Sequence, residues 1–166
     1  IDLLHDKKTR SFPAAYQRFW GCFMMELNTA GLVLEEYLME RLSGLVISLS
    51  CSQVRQFRLA GTLTASHVMS GWVEVQKLLA RNLSQTQFQL DAESKKKNAP
   101  KKLVDVLKHQ LDSETRQSSD LETASKNIVT SVFAVRFRDV WGEVRATVIR
   151  SFAQWIDAAP GAYLAD

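Results

Sequence analysis

Five lysines within eight consecutive positions form the densest group of positive charges in the chain, and their type and spacing suggest binding chemistry. They are Lys95, Lys96, Lys97, Lys101 and Lys102, in the segment SKKKNAPKK. Clustered ammonium groups bind nucleic-acid phosphates by releasing counterions, and they need no fixed geometry to do so. Two interpretations are open: a solvated loop without a ligand, and a contact with the phosphates of nucleic acid.

Residue types that usually carry catalysis or bind metals are scattered along the chain. His5, His67 and His109 have no partners at ligand spacing. No Ser-His-Asp set, glycine-rich phosphate loop or pair of carboxylates can be assembled from the sequence. The sequence therefore predicts no enzyme and no cofactor or metal site.

The two cysteines and the overall charge indicate a cellular compartment and limit the choice of ligand. Cys22 and Cys51 lack a CxxC spacing, so they are predicted to be reduced thiols packed as small core residues in a nuclear or cytosolic protein. The 21 lysines and arginines exceed the 18 aspartates and glutamates by a net charge of +3. That excess is too small to indicate nucleic-acid binding unless the charges cluster.

The length of 166 residues suffices for one domain, or for about four units of a helical repeat of roughly 40–47 residues. Because the chain begins with Ile1 rather than methionine and stops just after an apolar helix, we expect it to be a piece of a longer protein. It has no signal peptide and no apolar run of roughly 18 residues. A position inside the cell, without membrane contact, is predicted.

Apolar residues recur at helical spacing along most of the chain, which predicts an all-α fold. The predicted helices span 13–29, 32–49, 52–93, 101–115, 121–138 and 139–156, with 1–12 as a linker or the end of a preceding helix and 117–120 as a loose connection. The third helix contains no proline and only two isolated glycines, so it is expected to be continuous and unusually long. Its second half turns polar and is predicted to protrude from the body, with the lysine cluster at its tip.

Two helix starts share a short pattern that indicates a repeat. Val54-Arg55 follows a capping serine at Ser52, and Val144-Arg145 follows Asp139, a residue type that also favours helix caps. The pattern resembles the second helix of HEAT-type helical hairpins, stacked as in a solenoid. In that arrangement the valine enters the core, and the arginine bridges to acidic groups or carbonyls of the next unit.

A larger set of residues resembles the STAG domain of the stromalin family, the HEAT-repeat accessory subunits of cohesin. The matching residues are Glu35-Glu36-Tyr37-Leu38-Met39, Ser50-x-Ser52-Gln53-Val54-Arg55-x-Phe57-Arg58, Thr62-Leu63-x-Ala65, Arg136-Phe137-Arg138-Asp139 and Glu143-Val144-Arg145-Ala146 through to Trp155. The similarity departs at Cys51, where the family often has an acidic residue, and at Val135 and Phe137, where it often has histidine and tyrosine.

The resemblance implies an organisation and a function. It implies a STAG domain over 13–166 with HEAT-like hairpins and a variable basic insert at about 94–120. It further implies a non-enzymatic scaffold in the nucleus, on chromatin, that binds the kleisin subunit of cohesin and, through it, the coiled-coil ATPase subunits, with direct contact to double-stranded DNA. The alternatives are a generic HEAT-repeat protein-binding scaffold without DNA contact and a purely structural spacer.

The resemblance also implies a protein-binding site near the end of the domain. A tryptophan at that place in the family contributes to a pocket for short aromatic motifs of regulators such as shugoshin and insulator proteins, and Trp155 is the matching residue. Arg136 and Arg138 are expected to be exposed, or paired with acidic neighbours, near the surface between repeats. The lysine cluster lies in the variable part, so its DNA contact rests on charge and not on the family.

Overall fold

Every regular element is helical in the computed structural model, which describes residues 11–96 and 100–163. The helices are α1 (Phe12–Thr29), α2 (Glu36–Ser50), α3 (Arg55–Ser94), α4 (Lys101–Ile128), a π-helical segment (Val129–Phe133), α5 (Ala134–Arg136), α6 (Gly142–Ala158) and α7 (Pro160–Tyr163). The all-α prediction is confirmed. None of the described helices is long and apolar enough to cross a membrane. Most of the predicted linker, 1–10, lies outside the described residues.

Helix α3 is the axis of the fold. It has 40 residues, a length of about 60 Å at 1.5 Å per residue. Its first half is apolar around much of its circumference, with Val68, Met69 and Trp72 fully buried, and α1, α2, α4 and α6 all pack against it. The sequence-based prediction of one continuous, unusually long helix is confirmed.

The helices form two successive hairpins, with α1 packed beside the first. The first hairpin consists of α2 and α3, and the second is formed by α4, continued through α5, and α6. Helices α3 and α4 run antiparallel, since the Gln76 amide donates to Ser125 and the Gln110 amide donates to Thr86 farther out. This arrangement agrees with the predicted HEAT-like hairpin repeats.

The prediction of a break at 117–120 is wrong, because α4 runs through it without interruption. The polar run that suggested a loose connection contains neither glycine nor proline, and its side chains are exposed or half-buried. The helix then continues as the π-helical segment and α5. A polar stretch is thus compatible with a helix whose other face packs, here through Leu121, Ser125 and Ile128.

Several apolar residues in or beside the helices are exposed. Val135, Val140 and Ile149 have exposed fractions of 47%, 83% and 55%. Val140 precedes α6, and Ile149 lies about 100° around α6 from the buried Val148. Both cysteines, Cys22 and Cys51, are free and exposed rather than packed as core residues. Apolar periodicity shows which residues share one face of a helix. It does not show whether that face packs against another helix.

Two glycines in these helices are predicted to respond oppositely to substitution by alanine. A Cβ at Gly61 would lie 2.5 Å from the Ser50 backbone nitrogen, whereas a Cβ at Gly44 would have nothing within 4 Å. We expect Gly61→Ala to destabilise the domain by about 1–3 kcal/mol through overpacking. Gly44→Ala should stabilise it by about 0.5–1 kcal/mol, because alanine is the better helix former. Urea unfolding of both variants checks this, and shifts of the same sign would contradict it.

Candidate functional site

The lysine cluster lies at the free end of the α3–α4 hairpin. Lys95 and Lys96 directly follow α3, and Lys101 and Lys102 are the first two residues of α4. All four side chains are exposed, and Lys97 lies outside the described residues. We call these four residues, together with Lys97 in sequence, the lysine tip. The structure thus brings lysines from both helices to one end of the hairpin, as the sequence predicted.

The tip stands well away from the core. From Leu79, the last α3 residue in the main core cluster, to Ser94 is a rise of about 22 Å along the helix axis. Buried residues in this outer part, such as Thr86, Leu90 and Leu107, lie on α3 and α4 themselves. The hairpin therefore presents its lysines to solvent at the end of a two-helix arm.

The start of α4 adds to the positive potential of the tip. Its first turn contains no acidic residue, and the N-cap residue Pro100 provides no side-chain cap. The helix macrodipole places a partial positive charge at this end, next to Lys101 and Lys102. Only Lys96 among the four described lysines forms an ion pair, with its Nζ 2.6 Å from Glu93 Oε1. An anion is favoured here by charge alone, without a preformed pocket.

A second polar cluster lies between the two hairpins, and its centre is Asp139. The carboxylate is 3.0 Å from Arg58 Nε and 2.6 Å from Arg136 Nη1, and its side chain is only 1% exposed. It also accepts a hydrogen bond of 2.9 Å from the Trp141 backbone N–H. Burial raises the pKa of Asp139, but the hydrogen bonds from Trp141, Arg58 and Arg136 outweigh it and hold the pKa below its ordinary value. This pairing joins α3 to the turn that precedes α6.

The two hairpins contain the same turn before their second helix. Ser52 accepts from the Val54 N–H at 3.1 Å, as Asp139 does from Trp141, and both acceptors stand two residues before the donor. An arginine six residues after the acceptor then returns to the turn. Arg58 Nη1 donates to the Ser52 and Gln53 carbonyls, and Arg145 Nη1 donates to the Asp139 and Val140 carbonyls.

This geometry corrects the predicted alignment of the repeat. Val54-Arg55 and Val144-Arg145 are not equivalent, since Val54 is the exposed N-cap of α3 while Val144 is buried inside α6. Ser52 likewise caps the turn before the helix and not the helix itself. The bridging arginine that the sequence predicted exists, but it is Arg58. The signal that could have found it is the shared spacing from a short polar acceptor to an arginine six residues later.

The three predicted protein-binding residues lie in different environments. Arg136 is held by Asp139, whereas Arg138 is exposed and forms no ion pair with a described residue. Trp155 is 1% exposed, and its indole N–H donates to Ser70 Oγ at 3.0 Å. Its ring meets the Phe133 ring edge to face, with centroids 4.8 Å apart. The indole of Trp155 is therefore part of the core, and its contribution to a pocket stays a prediction.

Within 11–96 and 100–163, no three His, Cys, Asp or Glu residues are grouped so that they could hold a metal ion. His67 is half-buried in α3, and burial lowers its pKa. The candidate sites are therefore the lysine tip and the surface around Arg138.

The sequence of this chain matches a known protein domain over most of its length. A family model described as the STAG domain matches residues 3–110, more than half of the chain. The chain belongs to the STAG domain family. Cohesin accessory subunits of the stromalin type carry this domain, so the family suggested by the sequence motifs is confirmed.

Individual relatives support the same placement of this STAG domain. It is 30% identical over 161 residues to sister-chromatid cohesion protein 3 of Arabidopsis thaliana, covering 96% of this chain and 14% of that protein. It is 31% identical over 138 residues to cohesin subunit SA-1 of Xenopus laevis, covering 81% of this chain and 11% of that protein. The chain thus spans a small part of the curated relatives it matches.

A solved structure extends the similarity to three dimensions. Cohesin subunit Scc3 from Z. rouxii superposes with a TM-score of 0.87 at 26% identity, covering 98% of this chain and 20% of that one. The hairpin arrangement is therefore shared with a cohesin subunit over nearly the whole length of this STAG domain.

Proposed function

We propose that this chain is a scaffold segment of a cohesin accessory subunit that acts without catalysis in sister-chromatid cohesion, in the nucleus and on chromatin. The observation that carries the proposal is the match to Scc3 over 98% of the chain, together with relatives named for cohesin and sister-chromatid cohesion. The fold suits this role, because stacked helical hairpins offer extended surfaces for partners.

The proposed partners are the kleisin subunit of cohesin and, through it, the coiled-coil ATPase subunits. A pull-down with the full-length protein that contains this chain tests the assignment. We expect a kleisin and its ATPase partners to co-purify. Absence of all of them under low-salt conditions, with the protein shown to be folded, would count against membership of a cohesin complex.

Regulators that carry short aromatic motifs are proposed to bind near Arg136, Arg138 and Trp155. Arg138 is exposed, and the neighbouring Phe137 side chain is 53% exposed. A guanidinium beside an aromatic ring is the type of contact enriched in protein–protein hot spots. Trp155 and Arg136 are held by internal contacts, so Arg138 and Phe137 are the residues here that offer exposed side chains to such a motif.

The lysine tip is proposed to contact double-stranded DNA. Four exposed lysines on a two-helix arm, with the positive end of α4 beside them, support this role. The arm can approach a duplex without a clash from the domain body, because the core lies about 22 Å behind it. Backbone contacts of this kind carry no sequence specificity.

Replacing the five lysines of the tip by alanine should weaken binding to duplex DNA on the order of ten- to a hundred-fold at low salt. Each phosphate contact that is lost should lower the slope of log affinity against log salt by about 0.9. Fluorescence anisotropy with a labelled duplex at several salt concentrations measures both quantities.

Two double variants, each of which removes two lysines, show whether DNA affinity depends on the position of the lysines at the tip or only on the net charge of the chain. Lys101→Ala with Lys102→Ala removes two lysines from the tip, whereas Lys77→Ala with Lys126→Ala removes two that pair with Glu74 and Glu122 along the helices. Only the first pair is expected to reduce affinity and salt slope. If the two double variants behaved alike, or if the five-lysine variant bound as the native chain does, the DNA role of the tip would be rejected in favour of a protein-binding scaffold.

A further inference from the structure

One face of α3 on the two-helix arm carries basic and small residues around a single aromatic ring. Steps of three and four residues keep side chains on one side of an α-helix. The row that follows these steps consists of Lys77, Arg81, Ser84, Phe88, Ala92 and Lys95, and we call it the α3 stripe. It contains three cationic residues and no carboxylate. The α3 stripe reaches from the domain body to the lysine tip.

Phe88 is the most exposed apolar residue of the α3 stripe. Its side chain is 74% exposed, although the arm has an interface in which Thr86, Leu90 and Leu107 are buried. The shallow depression beside its ring is lined by Ala80, Arg81, Ser84 and Gln85, all of α3. Isolated exposed apolar residues are common, so exposure alone assigns no role to Phe88. The charges on either side of the ring are the second observation.

Two unpaired cations flank Phe88 at equal distances. Arg81 and Lys95 stand seven residues before and after it, a rise of about 10 Å in each direction along the helix axis. Both side chains are exposed, and neither forms an ion pair with a described residue. The ring therefore lies midway between two cations that are about 21 Å apart along the axis.

The carboxylates of α3 leave these two cations free. Helix α3 has three carboxylates, of which Glu74 and Glu93 each form an ion pair with a lysine of the arm, at 3.0 and 2.6 Å. The third, Asp91, accepts a hydrogen bond of 2.8 Å from a glutamine amide. Arg81 and Lys95 can therefore contact an anionic ligand, and the ring between them can contact a flat apolar part of the same ligand.

Single-stranded nucleic acid combines these two properties. Its unpaired bases stack on aromatic side chains while its phosphates contact basic residues. The bases of a duplex are stacked on one another, and only their edges are open in the grooves. Lys95 belongs to both the α3 stripe and the lysine tip, so a strand that leaves a duplex at the tip meets the stripe directly. An acidic polypeptide would match the charges of the stripe but not its continuity with a surface proposed for DNA.

We propose that the α3 stripe binds a single strand of DNA next to a duplex held by the lysine tip. A base stacks on Phe88, and phosphates contact Arg81 and Lys95. The arm then prefers a junction between double-stranded and single-stranded DNA over a continuous duplex. This inference rests on the proposed contact between the lysine tip and DNA.

Three labelled DNA probes test this preference with the full chain. One is a blunt duplex of about 20 base pairs, and the second adds an overhang of about eight thymidines, within the usual range of single-strand site sizes. The third is a blunt duplex longer by about four base pairs, which adds the same number of phosphates as the overhang. We expect the overhang probe to bind about five- to tenfold more tightly than either blunt probe in fluorescence anisotropy at low salt.

Variants of exposed residues locate the single-strand contact. Phe88→Ala should abolish the preference for the overhang without changing the affinity for blunt duplex, whereas Phe88→Trp should retain it. Val106→Ala is the matched control, since Val106 is a 61% exposed apolar residue on the other helix of the arm. Arg81→Ala should lower the salt slope for the overhang probe by about 0.7, the value for one phosphate contact of a single strand.

Equal affinity of the native chain for the overhang probe and the longer blunt duplex would overturn the proposal, as would an unchanged preference in folded Phe88→Ala. An acidic peptide whose binding is weakened by Phe88→Ala, while the overhang preference stays the same, would overturn it in favour of a polypeptide ligand. The blunt probes separate this inference from the proposed role of the lysine tip. Blunt-duplex binding that requires the five lysines, without any overhang preference, rejects the α3 stripe alone, and no binding of any probe rejects both.

Discussion

Replacing Asp139 by alanine is expected to lower the free energy of unfolding of this STAG domain by about 3–5 kcal/mol, the cost of leaving buried charges without their partner. The carboxylate is the common partner of Arg58 and Arg136, whose side chains are 11% and 16% exposed. Neither arginine has another carboxylate within ion-pair distance among the described residues. The variant would also lose the hydrogen bond that fixes the turn before α6. Urea unfolding followed by circular dichroism measures the loss.

Two further variants serve as comparisons for Asp139→Ala. One keeps a side-chain oxygen at position 139, and the other changes the neighbouring exposed residue. Asp139→Asn keeps an oxygen that can accept from the Trp141 N–H, so its loss should be smaller than that of Asp139→Ala. Arg138→Ala, one residue away but exposed and unpaired with described residues, should change stability by no more than about 0.5 kcal/mol. An Asp139→Ala domain within about 1 kcal/mol of the native stability would show that the cluster does not hold the two hairpins together.

The Asp139 carboxylate also determines the direction in which stability is expected to change with pH. The pKa of Asp139 is lowered from 3.8 in the folded chain, so the ionised form is the one that folding favours. Its stabilisation should be fully present above the pKa of the unfolded chain, and it should be lost as the pH falls through the lower pKa of the folded state. The stability difference between the native chain and Asp139→Asn should therefore be constant near neutral pH and shrink in the acid range below about pH 4.

Local sequence signals predicted the elements better than they predicted contacts between elements. The 40-residue α3 was predictable because a stretch without proline and with only isolated glycines has no reason to stop. The exposure of the lysine tip was predictable from the lysine-rich composition of that segment. By contrast, the polar run at 117–120 was interpreted as a break, because its apolar neighbours on α4 pack against a helix that is far away in sequence.

The contacts between hairpins could be identified only from the structure. Arg58 reaches Asp139 across 81 positions of sequence, and only its side-chain geometry shows that it, and not Arg55, bridges the repeats. Dipeptide and capping patterns describe one helix at a time, so they could not predict this contact between two helices.

Trp155→Ala is expected to destabilise the domain by about 3–5 kcal/mol, as large-to-small changes of buried tryptophans generally do. The indole is 1% exposed, packs edge to face on Phe133 and Phe152 with centroid distances of 4.8 and 5.4 Å, and donates its N–H to Ser70. Ser70→Ala removes only that hydrogen bond and should cost about 1 kcal/mol. Thermal and urea unfolding measure both changes.

Whether Trp155 also serves a pocket can be separated from its role in the core by a variant that stays folded. Trp155→Phe keeps an aromatic ring against Phe133 but loses the indole N–H, so it should be more stable than Trp155→Ala. A labelled peptide carrying a short aromatic motif is then titrated into folded Trp155→Phe, Ser70→Ala and Arg138→Ala. Loss of binding in Arg138→Ala with retention in the other two would place the contact at the exposed surface. Loss in Trp155→Phe alone would require the buried indole itself to open toward the ligand, because in the folded chain its surface is already occupied by Phe133, Phe152 and Ser70.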